Sequence, residues 1–393
     1  MNYDTFTSEE IAIVDQVTRF VAERVRPAVQ NAERDGQYPE ALVQAMKDLG
    51  LFGIAVPEEF GGLGLRLPVF AAVMEALSRG WTTLAAYVNS HSTVAYAIAA
   101  HGTEDQKRRY LRLLSTGEQR GALCLTEPDC GSDLRAIRTF ASPSPRGYRI
   151  RGSKTYITNG QMATLLLALV KHPIGGGDRK EKISLLLIEK RCPNVHVTTT
   201  FEKMAFPLVD TNQIELDDVD VGEGQLLGGV EGRGFAQLLD SLEVGRIAIA
   251  MSAVGLATNA LSEAKRYAGE RKAFGVTIDQ HQAIQFKLAD MATKLVAARL
   301  LSMEAARIKE LGGRCDMISA MAKLYASDMA LEIAHDAVRI YGGAGYISEY
   351  AVGRLYREAL LYTIGEGTND INRIVISRRL QGDEEAHYLG LAL

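Results

Sequence analysis

Glu366 stands between two glycines in LYTIGEGTNDINRIVISRR (residues 361–379), just ahead of a helical pattern. Glycine tolerates positive φ and close approach, so a turn framed by Gly365 and Gly367 can aim a carboxylate into a crevice. An ordinary helix-entry loop accounts for it equally well. A second stretch, CLTEPDCGSDL (residues 124–134), places Thr126 and Ser132 beside Pro128 and Gly131 at the end of a strand pattern. Hydroxyls and free backbone N–H groups there suit carbonyl or phosphate oxygens, although a polar β-turn has the same composition. YITNG (residues 156–160) closes another strand pattern and can lay an aromatic ring and a hydroxyl along a planar ligand. ERKAFG (residues 270–275) and HQAIQ (residues 281–285) offer Arg271 and Lys272 as phosphate partners beside Phe274. Such charges commonly end as a solvated helix terminus. RIYGGAGYISEY (residues 339–350) is a glycine-rich break after an apolar helix, by default a helix stop.

The elements that must hold these residues fall into three blocks. Thr7 with Glu10 forms a capping-box signature, followed by Ile11, Val14, Val17, Val21 and Val25 on one helical face, with Pro27 set to kink or end the helix. Helical stretches continue through PEALVQAMKDLG, with Pro39 suited to N1 and Gly50 to C′, and through a second box at Thr103 and Gln106. Between Gly121 and Gly229 the pattern changes to short β-branched and apolar runs separated by turn residues: GALCLTE, GYRIRGSKTYIT, TLLLALV, KISLLLIEK, NVHVTTTF and TNQIELDDV. HPIGGGDRKEK reads as an exposed loop joining two of them. From Gly234 the helical period returns, with Ile284, Leu288, Met291, Leu295 and Ala298 as one stripe and a four-helix packing unit as its natural outcome. The expected fold class is α+β: a helical domain over 1–120, a β-barrel or sandwich-like domain over 121–230 and a helical bundle over 231–393.

Several functions are disfavoured. There is no alternating βαβ register, GGVEGRGF (residues 228–235) misses the dinucleotide fingerprint and reads as a β-to-helix connection, and no P-loop occurs. The seven histidines are dispersed and no HExxH is present, so no metal site is expected. A net charge of -4 supplies no broad basic field for nucleic acid or an anionic membrane. The four cysteines show no CxxC spacing, the first ten residues are polar and acidic, and no apolar run approaches about 18 residues. A cytoplasmic protein with a small-molecule partner is expected.

Taken together, the motifs TEPxxGSD, ITN, RxxFGxxxxxHQ, GGxGY and EGTxxI, in this order, resemble the acyl-CoA dehydrogenase flavoprotein family over nearly the whole chain. The resemblance implies an FAD-dependent α,β-dehydrogenation of an acyl thioester, in fatty acid metabolism, with an electron-transfer flavoprotein as electron acceptor. It places FAD contacts on Leu125, Thr126, Gly131, Ser132 and on Tyr156, Ile157 and Thr158, with Thr368 and Asp370 after the catalytic loop. Contacts from an adjacent subunit fall on Arg271, Phe274, His281, Gln282, Arg339, Gly342 and Gly343, which implies a homodimer at least and commonly a homotetramer. Glu366 matches the catalytic base, and its backbone N–H matches a donor to the enolate-like oxygen. Ser132, Glu243, Arg246, Gly367 and Arg378 match substrate contacts. Some members carry the base at the residue before the arginine in LEVGRIAIA; here that position is Gly245, so Glu366 has no rival.

The sequence departs from the family pattern at Gly365 (tyrosine is frequent there), Tyr156 (tryptophan), Arg339 (glutamine) and Pro207 (arginine). Gly365 is expected to enlarge the pocket beside the substrate α-carbon or admit a polar or branched group. Two other activities share the pattern: a dehydrogenase or oxidase of an acyl group held on a carrier protein, and, in a different class, a flavin-binding protein or flavin monooxygenase without dehydrogenation. Retention of Glu366 speaks against the second.

Overall fold

The computed structural model describes residues 6–173, 181–381 and 389–390. Six helices come first: α1 (Ser8–Phe20), α2 (Arg26–Asp35), α3 (Glu40–Asp48), α4 (Leu67–Gly80), α5 (Thr82–His101) and α6 (Glu104–Ser115). Both capping boxes form, with Thr7 Oγ1 accepting from Glu10 N at 3.2 Å and Thr103 Oγ1 from Gln106 N at 3.3 Å. Pro27 does not stop the chain's helical course. A π-helical stretch, Val21–Val25, runs into α2 just before it and includes Glu23, four residues back, whose carbonyl the proline ring would meet in a regular α-helix. Pro39 is the N-cap of α3, one residue earlier than N1, and Gly50 takes φ +70° beyond its C-terminus.

Next come β1 (Gly121–Cys124), β2 (Phe140–Ser144), β3 (Gly147–Thr158), β4 (Leu165–Pro173), β5 (Glu181–Glu189), β6 (Val195–Thr200) and β7 (Thr211–Gly222). They form one mixed sheet ordered β1-β4-β2-β3-β7-β6, with β5 also on β4. β4 reads as an unbroken apolar run because both its faces are covered. Leu165, Leu167 and Leu169 pack with Val94 and Ile98 of α5 and Leu111 of α6, while Leu166, Ala168 and Val170 pack with Ile150, Ile214 and Val219 inside the curl. Within HPIGGGDRKEK, residues 174–180 lie outside the described residues; its flanks pair antiparallel from Leu165↔Glu189 to Pro173↔Glu181. β1 lies close on α5: a Cβ on Gly121 would stand 2.7 Å from Val94 Cβ, and the Gly121 N–H donates to His91 Nδ1 at 3.2 Å.

The chain then enters α7 (Gly234–Glu270), a small hairpin β8 (Lys272–Ala273) and β9 (Val276–Thr277), and α8 (Gln282–Glu310), α9 (Asp316–Tyr341), α10 (Ala351–Ile364) and α11 (Asn369–Arg379). GGVEGRGF is the connection from β7 to α7, as expected. α7 shows little amphipathic period because it is buried on most sides, between α4, α5, α8 and α9. In the α8 stripe Met291, Leu295 and Ala298 are buried, whereas Ile284 and Leu288 lie partly buried at its edge.

Candidate active site

Glu366 lies in the short turn between α10 and α11. The Gly365 N–H caps α10 by donating to Leu361 O at 2.8 Å, and Thr368 Oγ1 caps α11 by accepting from Ile371 N at 3.2 Å. Gly365 itself has φ −71° and ψ 159°, a conformation open to any residue. The left-handed residues are Glu366 (φ +56°) and Gly367 (φ +85°). The first glycine therefore contributes the absence of a side chain, and only the second contributes an unusual dihedral. A left-handed non-glycine residue is strained, and such strain persists where surrounding contacts enforce it.

Those contacts come from four helices. Lys323 of α9, fully buried, donates from Nζ to Gly367 O at 2.8 Å and to Asn369 Oδ1 at 2.8 Å. Asn372 of α11 donates to Gly367 O at 3.0 Å. From α5, Asn89 Nδ2 donates to Glu366 Oε1 at 3.3 Å. From α7, Gly245 provides the room: a Cβ there would lie 2.9 Å from Glu366 Oε2 and 3.4 Å from Thr93 Oγ1. Gly245 and Glu366 thus fill one volume between them.

Burial pushes the Glu366 carboxyl above the usual carboxylate range, opposed by the nearby positive charges of Arg246 and Lys323 and by the Asn89 hydrogen bond. Burial draws Lys323 down to about 8, with Glu366 opposing. Arg246, 5% exposed, is also pulled below its ordinary value by burial, with Glu243 and then Glu366 opposing, and its Nε has no hydrogen-bond partner. Glu243 is held elsewhere, its Oε2 accepting from Lys309 Nζ at 2.7 Å beside Asp240.

The predicted residues of the sheet form a second group. Thr126 O accepts from Thr155 N at 2.8 Å, and buried Lys154 donates from Nζ to Leu125 O at 3.1 Å and to Glu127 Oε1 at 2.7 Å. The loop carrying Leu125, Thr126, Gly131 and Ser132 is thereby tied to the strand end carrying Tyr156, Ile157 and Thr158. Ile157 turns its side chain into the sheet core and pairs with Asn212 of β7, while Tyr156 takes φ +56° and is 65% exposed. Tyr156 lies 5.2 Å from the Phe201 ring, and Tyr87 of α5 donates to Leu208 O at 2.6 Å, so the segment between β6 and β7 touches both this strand end and α5. Asp370 and Arg378 are exposed on α11, where Asp370 pairs with Arg373 at 3.1 Å.

Arg271, Phe274, His281, Gln282, Arg339, Gly342 and Gly343 gather at the far end of the helical bundle. His281 stacks edge-on against Phe274, which is 95% exposed with φ +54°, and a Cβ on Gly342 or Gly343 would meet nothing within 4 Å. Arg271 follows the end of α7, about 39 Å along that helix from Gly245 at a rise of about 1.5 Å per residue. One chain does not bring the two groups together.

Sequence reasoning missed Asn89, Thr93, Lys323 and Asn372, all buried around Glu366. The available signals were a lone lysine in the apolar stretch MISAMAKLYASDMA and polar residues inside AAYVNSHSTVA, both of which read as core helix.

Comparison with known proteins gives the family. The acyl-CoA dehydrogenase N-terminal, middle and C-terminal domain families match residues 7–118, 122–219 and 232–381. The chain is 38% identical over 377 residues to an acyl-CoA dehydrogenase of Bacillus subtilis (strain 168), covering 96% of this chain and 99% of that one. It is 35% identical to the caffeyl-CoA reductase-Etf complex subunit CarC of Acetobacterium woodii, covering 95% and 99%. The structure of butyryl-CoA dehydrogenase from Megasphaera elsdenii superposes with a TM-score of 0.91 at 32% identity, covering 95% of this chain and 98% of that one. The chain belongs to the acyl-CoA dehydrogenase family.

Proposed function

We propose that this chain removes hydrogen across the α and β carbons of an acyl thioester, an acyl-CoA, with Glu366 as the base that takes the α-proton. One observation carries this most directly: the Glu366 carboxyl occupies the space left by Gly245, flanked by Asn89, Arg246 and Lys323. A thioester acidifies its α-hydrogens, and a carboxylate whose pKa is raised towards the operating pH matches that work. Among the described residues, no acceptor takes the Glu366 backbone N–H, which leaves it free for the developing thioester oxygen. Arg246 and Lys323 favour the ionised carboxylate that the reaction needs.

The residues present fit FAD. Tyr156 is an exposed ring in a strained conformation, and a Cβ on Gly131 in the tied loop would meet only Thr126 Cγ2, at 3.8 Å. Thr126, Ser132 and Thr158 supply hydroxyls, and Leu125, Gly131, Tyr156, Ile157, Thr368 and Asp370 complete the same-chain side of the cofactor site. When bound, FAD supplies the acceptor for the β-hydrogen as hydride. Arg271, Phe274, His281, Gln282, Arg339, Gly342 and Gly343 serve the site of a second copy, because they lie too far along the bundle to serve their own. We infer a homo-oligomer, a dimer at least, on that ground, and a tetramer from the family resemblance. Ser132, Glu243, Arg246, Gly367 and Arg378 contact the thioester and CoA; at Glu243 the substrate meets an ion pair with Lys309. The Etf complex of the CarC relative supports an electron-transfer flavoprotein as the acceptor, and Cys124, Cys130 and Cys192, which form no disulfide, support the cytoplasm.

Anaerobic titration of the purified flavoprotein with short, branched, medium-chain and aromatic acyl-CoA, alongside the same acyl groups on a carrier protein, tests the proposal. Bleaching of the bound flavin by an acyl-CoA is the expected result. No bleaching by any CoA thioester, or bleaching by carrier thioesters alone, overturns it.

A further inference from the structure

We infer that Lys323 is a positioning residue for Glu366: it clamps the left-handed turn through the Gly367 carbonyl and supplies a buried positive charge that keeps the carboxylate ionisable. The inference rests on Glu366 as base. Lys323 is fully buried on α9, yet its Nζ does not seek solvent or a carboxylate; it donates to a backbone carbonyl and a neutral amide. A buried ammonium without a directly bonded carboxylate is costly, and such a group is retained in an apolar helix face where it answers a need nearby. Here the need is on the page. The two consecutive left-handed residues Glu366 and Gly367 are followed at once by the α11 cap at Thr368. The Gly367 carbonyl receives two donors, Lys323 Nζ at 2.8 Å and Asn372 Nδ2 at 3.0 Å, so the Gly367–Thr368 peptide plane, which closes the turn one residue after Glu366, is fixed from α9 and α11 together. Asn369 completes the clamp: it accepts from Lys323 and is held by Ser327 at 2.9 Å and Asp328 at 2.6 Å, both on α9.

The charges around the turn are few. From α7 Arg246 faces Glu366, with Glu243 behind it; from α9 come Lys323, Asp328 and, near Arg246, Asp316; α11 brings Arg373, paired with Asp328 and Asp370 at 3.1 Å each; α5 contributes the neutral Asn89 and Thr93. Arg246 and Lys323 are the two cations that act on Glu366, and of the two Lys323 also holds the turn, through the Gly367 carbonyl.

The test compares Lys323→Met and Lys323→Gln with the parent and with Glu366→Gln. The first readout is the protonated-carboxyl infrared band lost in Glu366→Gln, followed against pH in the apo-protein. The second is the pH profile of flavin bleaching by whichever of butyryl-CoA, isobutyryl-CoA and octanoyl-CoA reacts fastest with the parent. Loss of the charge is expected to move both the band and the acid limb to higher pH, and Lys323→Met to slow bleaching on the plateau by about 10- to 100-fold, the scale of a misplaced reactive group. FAD content and KM are expected to stay within about twofold of the parent. Lys323→Gln, which keeps a donor for the Gly367 carbonyl, is expected to show the pH shift with a smaller rate loss, and it serves where Lys323→Met does not fold. Unmoved band and limb in a folded variant overturn the inference, as does a rate loss that only follows loss of FAD. If Glu366→Gln bleaches like the parent, the base assignment fails and not merely the role of Lys323.

Discussion

Replacing Gly245 with alanine should slow the reaction without weakening the protein. The added Cβ would lie 2.9 Å from Glu366 Oε2 and 3.3 Å from its Cδ, whereas ordinary contact begins near 3.4 Å. The carboxyl must therefore retreat by about 0.5 Å, and since about 1 Å of misplacement can cost roughly 100-fold in rate, the expected loss is about tenfold, or about 1.4 kcal/mol of barrier. The obstacle is the far end of a flexible side chain, and Ala is favoured over Gly in a helix interior by about 0.5–1 kcal/mol, so thermal stability should be unchanged or slightly raised. Stopped-flow flavin bleaching under anaerobic conditions, paired with thermal melting, reads both effects. Bleaching as fast as the parent would show that Glu366 does not act from the volume beside Gly245. A clear drop in melting temperature would mean that the clash falls on the fold instead of the carboxylate.

Three further outcomes are expected. Gly365→Ala should stabilise by about 0.4–1 kcal/mol, because φ −71° suits alanine and a Cβ would approach no closer than Leu361 O at 3.5 Å; Gly365→Tyr should shift preference in the acyl-CoA panel towards smaller acyl groups. Lys154→Met should destabilise by about 3–5 kcal/mol in chemical denaturation and lower FAD retention, since it leaves the Glu127 carboxylate buried without its cation and unties the Leu125 loop. The pH profile of bleaching should show an acid limb above the usual range of a glutamate: the base works ionised, and burial raises its pKa, so the rate climbs as pH rises through that raised value. A limb in the ordinary carboxylate range would contradict the burial of Glu366.

Much of the architecture was open to reading from local signals. Both capping boxes, the run Gly147–Thr158 as β3 and the helix–sheet–helix order follow from spacing and composition within single elements. β2 was missed because Pro143 and the serines read as a loop; Pro143 pairs with Tyr148 of β3, while the contact of β2 with β4 is confined to Phe140 and Lys171. The hairpin of β8 and β9, two residues a side, carries too little pattern to be found. At the site, the Gly-Glu-Gly stretch drew attention to Glu366 for a reason only half right, since Gly365 needs no glycine dihedral. Gly245 could be located by motif, but its contact with Glu366 joins positions over a hundred residues apart. Lys323, Asn89 and Asn372 converge from three helices, and no local period distinguishes a buried polar residue aimed at a site from one satisfied in the core.

The most direct measurement of the central claim is exchange of the α-hydrogen of a non-oxidisable 3-thia-acyl-CoA in D₂O, catalysed by the parent flavoprotein and by Glu366→Gln. The parent should wash deuterium into the α-carbon, and the variant should do so about 10²- to 10⁴-fold more slowly while binding FAD normally. Equal exchange by the two proteins would mean that some other group takes the proton.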